Sequence, residues 1–288
     1  MMSYIEIPAY AKINLSLDVI RRREDGYHEL RMIMQTVSLH DTVCLEATGE
    51  AGIHLECSGG MVPADSTNTA WRAAELMFGR FGLAGGLRIK LIKRIPAAAG
   101  LAGGSADAAA VLKGINELYA LGLDSAELKQ LGLQIGADVP YCIEGGTRLA
   151  EGIGEILTPM PDLSGIDVVI VRPDIKVSTP WVYSQFDLSQ VTERDRPDTE
   201  KLIGALAKKD FRTASFYMKN VLETVTMRRY EIVRIAKNRM AEAGAEACLM
   251  SGSGPSVFGL FADREKAQKA HAKLSGYREW ECFIAETV

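Results

Sequence analysis

The sequence predicts an α+β protein of two domains divided near residue 160, and three observations carry that reading. The opening is mostly strand, with apolar and polar residues alternating over residues 10–20. Helical and strand periodicities mix along the remainder, and beyond Pro159-Met160-Pro161 the composition shifts into a buried-strand run at 168–171. A length of 288 residues suits two modest domains of about 100–200 residues each. With 47% hydrophobic and 24% charged residues the core is ample, which excludes disorder and a small disulfide scaffold.

Each element has its own signal. Over residues 10–20, Ile13, Leu15, Leu17 and Val19 share one strand face, and Lys12, Asn14, Ser16 and Asp18 the other. Residues 43–47 and 53–57 are shorter strands, and the glycine-flanked stretch 49–52 between them predicts a hairpin turn. Ala70, Ala73, Ala74, Met77 and Phe81 recur at helical spacing, and Leu87, Ile89 and Leu91 at strand spacing. That strand leads into a run of small residues, after which Ser105 is the expected N-cap of a helix reaching Tyr119. A helix over 125–135 ends at Gly136-Ala137-Asp138-Val139-Pro140, which leaves Asp138 at an irregular junction. In the second half, helices are expected over 199–207, 211–221, 230–243 and 264–274. Strands are expected at 247–250, 257–261 and near Phe283.

Composition removes several function classes. Lys plus Arg number 33 against 37 Asp plus Glu, a net charge of −4, and no basic cluster exceeds Arg21-Arg22-Arg23, so no nucleic-acid surface is expected. That triplet, followed by Glu24-Asp25-Gly26, reads as a solvated turn rather than a phosphate clamp. Five cysteines without a C-x-x-C pair read as reduced thiols of a cytoplasmic protein, and four histidines show no zinc spacing. The beginning has no basic segment followed by an apolar one. The most apolar stretch, 95–112, is interrupted by glycines, Ser105 and Asp107, so neither a secretory signal nor a membrane partner is expected.

The small-residue run is neither a Walker loop nor G-x-G-x-x-G. Its chemistry still suits a polyphosphate, because small side chains over 97–104 let backbone N–H groups approach a ligand while the next helix start adds partial positive charge. The alternative is a tight turn packed with small residues. Residues 96–110, P-A-A-A-G-L-A-G-G-S-A-D-A-A-A, resemble the phosphate-binding signature of the GHMP kinases; 8–15, P-A-Y-A-K-I-N-L, and 250–258, M-S-G-S-G-P-S-V-F, resemble that superfamily's first and third motifs. D-G-Y-H at 25–28 and G-A-D-V-P at 136–140 are similar to the branch acting on a cytidine-diphosphate-linked methylerythritol. The five motifs run in order along the chain.

The resemblance implies a two-domain GHMP kinase fold. A ribosomal-S5-like, ATP-binding N-terminal domain would occupy 1–160 and a ferredoxin-like C-terminal domain 161–288, with the reaction in the cleft between them. It implies ATP and Mg²⁺ as cofactors, with metal ligands unassigned. The reaction would be phosphoryl transfer to the 2-hydroxyl of the methylerythritol moiety in non-mevalonate isoprenoid precursor synthesis, on a small-molecule acceptor, with oligomeric state open. Asp138 matches the catalytic base and Lys12 the lysine that orients the acceptor hydroxyl, a pairing suited to removing a proton while negative charge spreads over the transferred group. Pro96, Ala97, Ala98, Ala99, Gly100, Leu101, Ala102, Gly103, Gly104, Ser105 and Ala106 would wrap the triphosphate, with Asn68 and Lys93 near base and ribose. Asn14, Tyr27, His28, Asp138, Thr179, Tyr183, Ser251 and Gly252 would bind the acceptor. Two aromatic rings there would sandwich cytosine, Tyr27 from D-G-Y-H and Tyr183 or Trp181 from T-P-W-V-Y. The family usually reads G-L-G-G-G-S-S where this chain has Ala102 and Ala106. A Cβ at 102 is expected to exclude a glycine-only conformation, and Ala106 brings no hydroxyl. Competing readings are a GHMP kinase for homoserine, mevalonate or a sugar, which needs no cytosine clamp, and a silent nucleotide-binding module, which would have lost Lys12 or Asp138.

Overall fold

The computed structural model describes residues 3–58 and 62–288; Met1 and Met2, where the reading of the N-terminus begins, lie outside them. The chain forms two compact units. One takes residues up to Ala11, His40–Ala97 and Ala102–Gly145, and the other takes Lys12–Leu39, Ala98–Leu101 and Gly146–Val288. Two long strands, β1 (Tyr4–Arg22) and β2 (His28–Thr48), run through both units and form a hairpin closed by Arg23 N–H donating to Tyr27 O. Its tip carries exposed ion pairs, Arg23 with Asp25 and Arg21 with Glu29, as a solvated turn should.

In the first unit, β3 (Gly52–Cys57), α1 (Thr69–Phe81) and β4 (Gly86–Ile92) form a strand–helix–strand crossover in which β3 and β4 pair in parallel. The C-terminal part of β2 pairs antiparallel with β4, from Thr42 opposite Ile92 to Thr48 opposite Gly86. The hairpin expected at 49–52 is therefore corrected, since β4 occupies the position between β2 and β3. Alternation along two neighbouring segments reports strands but not partners, and the helix between β3 and β4 makes the parallel crossover possible. α2 (Gly103–Leu118), α3 (Ser125–Leu133) and α4 (Val139–Glu144) complete the unit, with α1 against α2 and the core built from residues such as Leu45, Ala74, Met77, Ile89, Val111 and Ile115. Small residues on α1 and α2 let the helices approach closely.

In the second unit, the N-terminal part of β2 pairs with β5 (Thr147–Gly152), which pairs with β6 (Ile156–Pro159). A separate antiparallel sheet is formed from β7 (Asp167–Pro173), β8 (Ala247–Met250), β9 (Val257–Phe261) and β10 (Trp280–Glu286), in the order β10-β7-β9-β8. Helices α5 (Thr179–Gln185), α6 (Thr199–Ala207), α7 (Phe211–Tyr217), α8 (Glu223–Arg229), α9 (Glu231–Glu242) and α10 (Arg264–Leu274) occur along the same half. The apolar face of α9, carrying Val233, Ala236 and Met240, is buried with β7 to β9 beside it. Among the described residues no helix is long and apolar enough to cross a membrane.

Candidate active site

The small-residue loop leaves β4 and ends in α2. Its backbone turns through the left-handed region at Ala98, Gly100 and Ala102, with φ of 50°, 75° and 58°. Alternation of this kind turns successive N–H groups toward one side, the arrangement that receives anions. Ala102 adopts a left-handed conformation that is not glycine-only, since alanine reaches this region at about 1–2 kcal/mol. One expectation is corrected here. The N-cap is Ala102 rather than Ser105, and it makes no side-chain capping bond; Ser105 sits in the first turn. Pro96, Ala99, Leu101 and Ala106 are buried and belong to the packing, whereas Ala98 and Gly104 are exposed.

Other first-unit candidates are held by neighbours. Asn68 caps α1, accepting from Ala70 N–H at 2.9 Å, and donates to Pro63 O at 2.7 Å. The Lys93 side chain is only 3% exposed and its Nζ is paired with both Asp41 and Asp107. Burial alone would lower the Lys93 ammonium, but the two carboxylates outweigh it and raise it. Burial pushes Asp107 up to about 7 against the pull of Lys93. Asp138 stands at the N-cap of α4, half-buried in helical backbone, because Gly136 ends the preceding segment and Pro140 fits the first turn of the next helix.

In the second unit, Lys12 lies on β1, 4% exposed, and its Nζ donates to Asn14 Oδ1 at 2.6 Å and to Gly100 O at 3.2 Å. Both faces of β1 are buried here, so the strand period put Lys12 and Asn14 on a polar face without revealing its burial. Ser251 Oγ donates to the same Gly100 carbonyl at 2.9 Å, and a Cβ on Gly252 would lie 3.5 Å from Lys12 Nζ. Lys12, Asn14, Gly100, Ser251 and Gly252 thus form one polar cluster. The loop carrying Ser251 does connect β8 to β9 as a hairpin. It is also pinned by Asn220, whose Nδ2 donates to Met250 O and Gly252 O at 2.8 Å each, and by Thr226 Oγ1 donating to Ser253 O. Thr179 reaches it through a 2.7 Å hydroxyl contact with Ser253. Sequence reasoning missed Asn220 and Thr226, which belong to no motif and work by side chain to backbone contact.

His28 opens β2 and stacks on Tyr183 at 5.1 Å between centroids and 29° between planes, with Phe186 edge-on to it. A depression of about 250 Å³, lined by Val19, Arg22, His28, Phe186, Asp187 and Leu188, opens beside the pair. Burial, with Arg22 nearby, lowers the His28 pKa, so its ring is neutral near pH 7 with one donor and one acceptor nitrogen. Trp181 packs edge-on to Tyr230 instead, which places Tyr183 and not Trp181 beside His28. Tyr27 stands at the hairpin tip, 59% exposed. Among the described residues no three His, Cys, Asp or Glu side chains form a metal cage.

Comparison with known proteins identifies the family. The model for the GHMP kinases N terminal domain matches residues 68–146, and that for GHMP kinases C terminal matches 202–278. A 4-diphosphocytidyl-2-C-methyl-D-erythritol kinase of Acetivibrio thermocellus is 52% identical over 287 residues, covering 100% of both chains. One of Alkaliphilus metalliredigens is 46% identical, covering 95% of this chain and 94% of its own. A crystal structure of a 4-(cytidine 5'-diphospho)-2C-methyl-D-erythritol kinase superposes with a TM-score of 0.84 at 35% identity, covering 98% of this chain and 99% of that one. A homoserine kinase from Cytophaga hutchinsonii shares the fold, with a TM-score of 0.79 at 21% identity over 100% of this chain and 95% of its own. The chain belongs to the GHMP kinase family, in its branch of 4-diphosphocytidyl-2-C-methyl-D-erythritol kinases.

Proposed function

We propose that this chain transfers the γ-phosphoryl group of ATP to the 2-hydroxyl of 4-diphosphocytidyl-2-C-methyl-D-erythritol, a step toward isoprenoid precursors by the non-mevalonate route, in the cytoplasm. The observation that carries the choice of acceptor is the His28–Tyr183 aromatic pair beside a depression of base size. Homoserine and mevalonate have no ring to stack there, whereas cytosine has both a π-face and a hydrogen-bonding edge for a neutral His28. Tyr27 and Thr179 serve the same cytidine end. Asn14, Ser251 and Gly252 support the acceptor beside Lys12, whose ammonium orients its hydroxyl.

Asp138 accepts the hydroxyl proton as the oxygen attacks, and Lys12 offsets charge on the acceptor side. Residues 96–106 hold the triphosphate by backbone N–H groups, with Asn68 and Lys93 at the nucleoside end. Magnesium, arriving on the phosphate oxygens, would neutralise charge on the transferred group. We take the division of the sequence domains at residue 160, a reading supported by the gap between the family matches over 68–146 and 202–278. The test is an acceptor panel with ATP and Mg²⁺, scored by ADP release. The cytidylated acceptor should be phosphorylated far faster than methylerythritol phosphate, homoserine or mevalonate, because remote binding of the cytidine end helps hold the reacting hydroxyl in line. Equal rates on any of the three would overturn the acceptor assignment.

A further inference from the structure

Asp41 is a buried carboxylate on β2 that no motif marks. It is 0% exposed, and its two oxygens are spent on the three residues that precede the phosphate loop. Oδ1 accepts from Arg94 N–H at 2.5 Å and Ile95 N–H at 2.8 Å, and Oδ2 is paired with Lys93 Nζ. Lys93 Nζ also donates to Oδ2 of Asp107 at 2.6 Å, five residues into the helix formed after the loop. The two loop ends are adjacent. A Cβ on Gly103 would lie 3.0 Å from Ile95 Cγ2 and 3.6 Å from Lys93 Nζ.

When both are ionised, two carboxylates on one ammonium leave an excess buried negative charge, and Asp107 Oδ1 has no hydrogen-bond partner among the described residues. For stability alone a single carboxylate would serve better, since an uncompensated buried charge is expensive. What the second carboxylate adds is geometric, because it ties the chain leaving β4 to the helix that receives it. Resting on the kinase reading above, we infer that Asp41 and Asp107 are positioning residues which, through Lys93, clamp the two ends of the 96–102 loop in the conformation that accepts ATP.

The test is calorimetric titration of the full-length protein with ATP and Mg²⁺, alongside melting temperature at pH 8 and the KM of the cytidylated acceptor. Asp41→Asn loses a charge-assisted contact and turns an amide toward Lys93 or the backbone donors, so its Kd for ATP should rise by about tenfold or more. Asp107→Asn keeps the shape and removes the excess charge. Its Kd should rise by about fivefold while its melting temperature is unchanged or higher, and the acceptor KM should stay within about twofold for both. A purely structural role would move affinity and melting temperature together. An ATP Kd within about twofold of wild type in folded Asp107→Asn, or one that rises only with a falling melting temperature, overturns the clamp, and this variant decides the matter if Asp41→Asn does not fold. Wild-type protein that binds ATP yet leaves the cytidylated acceptor untouched would refute the acceptor assignment while the clamp is judged by these affinities.

Discussion

Single residues here differ in whether their surroundings or their chemistry sets their role. Asp107 is the clearest case of the former, its carboxyl pushed up to about 7 by burial. Between about pH 4 and 7 the folded protein then keeps a proton that the unfolded chain releases, so this group's contribution to stability falls as pH rises through that window and is fully lost above it. Asp107→Asn removes the titration, so its melting temperature relative to wild type should improve from pH 5 to pH 8; a difference constant with pH would refute the raised carboxyl. Asp138 is a case of the latter. If it takes the acceptor proton, Asp138→Asn should lower kcat by ~10²–10⁴-fold and leave the ATP Kd nearly unchanged, and near-normal turnover in a folded variant would remove it from the reaction. Lys12 and Asp138 could be proposed from sequence because each lies within a compact motif. Asp41 and Asn220 were not, since they grip backbone 53 to 54 and 30 to 32 residues away and leave no local pattern.

At the scale of elements, the sequence was informative about what each segment becomes and silent about its partner. The stretches expected as strands at 43–47 and 53–57 are strands, yet β4 sits between them, because pairing depends on the crossover helix rather than on alternation. The loop before α2 was legible as a run of small residues before a helix, but its left-handed turns at Ala98 and Ala102 were not, as alanine gives no hint of positive φ. Gly100 is the position where the loop tolerates no side chain. Its φ is +75°, and a Cβ would meet Ser251 O at 2.2 Å, a backbone atom that cannot swing away. Gly100→Ala should therefore destabilise by about 2–5 kcal/mol, combining the left-handed backbone penalty with overpacking, and should weaken ATP binding. Gly103→Ala is the control, since there the nearest atom belongs to the Ile95 side chain and can yield. Equal melting temperatures for the two variants would show that the approach at Gly100 is not tight.

For the whole molecule, the fold does not choose the acceptor. A homoserine kinase has this architecture too, so selectivity has to reside in particular side chains. The aromatic candidates for the acceptor, Tyr27, His28 and Tyr183, lie in the second unit, whereas the nucleotide candidates Asn68 and Lys93 lie in the first, so on the proposed function acceptor and nucleotide affinities should be separable by mutation. The D-G-Y-H motif made Tyr27 and His28 legible, but the ring stacked on Tyr183 is His28, a choice that depends on the turn of α5 and is invisible to sequence spacing. The stack also sets the size of the effect. A base–aromatic stack contributes about 1–3 kcal/mol, but a base that takes the place of the His28–Tyr183 contact first gives up a ring pair worth about 0.5–1.5 kcal/mol. The net loss in Tyr183→Ala is then about 0.5–1.5 kcal/mol, a rise of roughly 2- to 13-fold in the Kd for the cytidylated acceptor, while Tyr183→Phe should bind nearly as well as wild type. The ATP Kd should stay within about twofold in both variants. Calorimetry with each ligand separately makes the comparison, and a Tyr183→Ala protein that loses ATP affinity as strongly as acceptor affinity would mean that the ring supports the fold rather than the base.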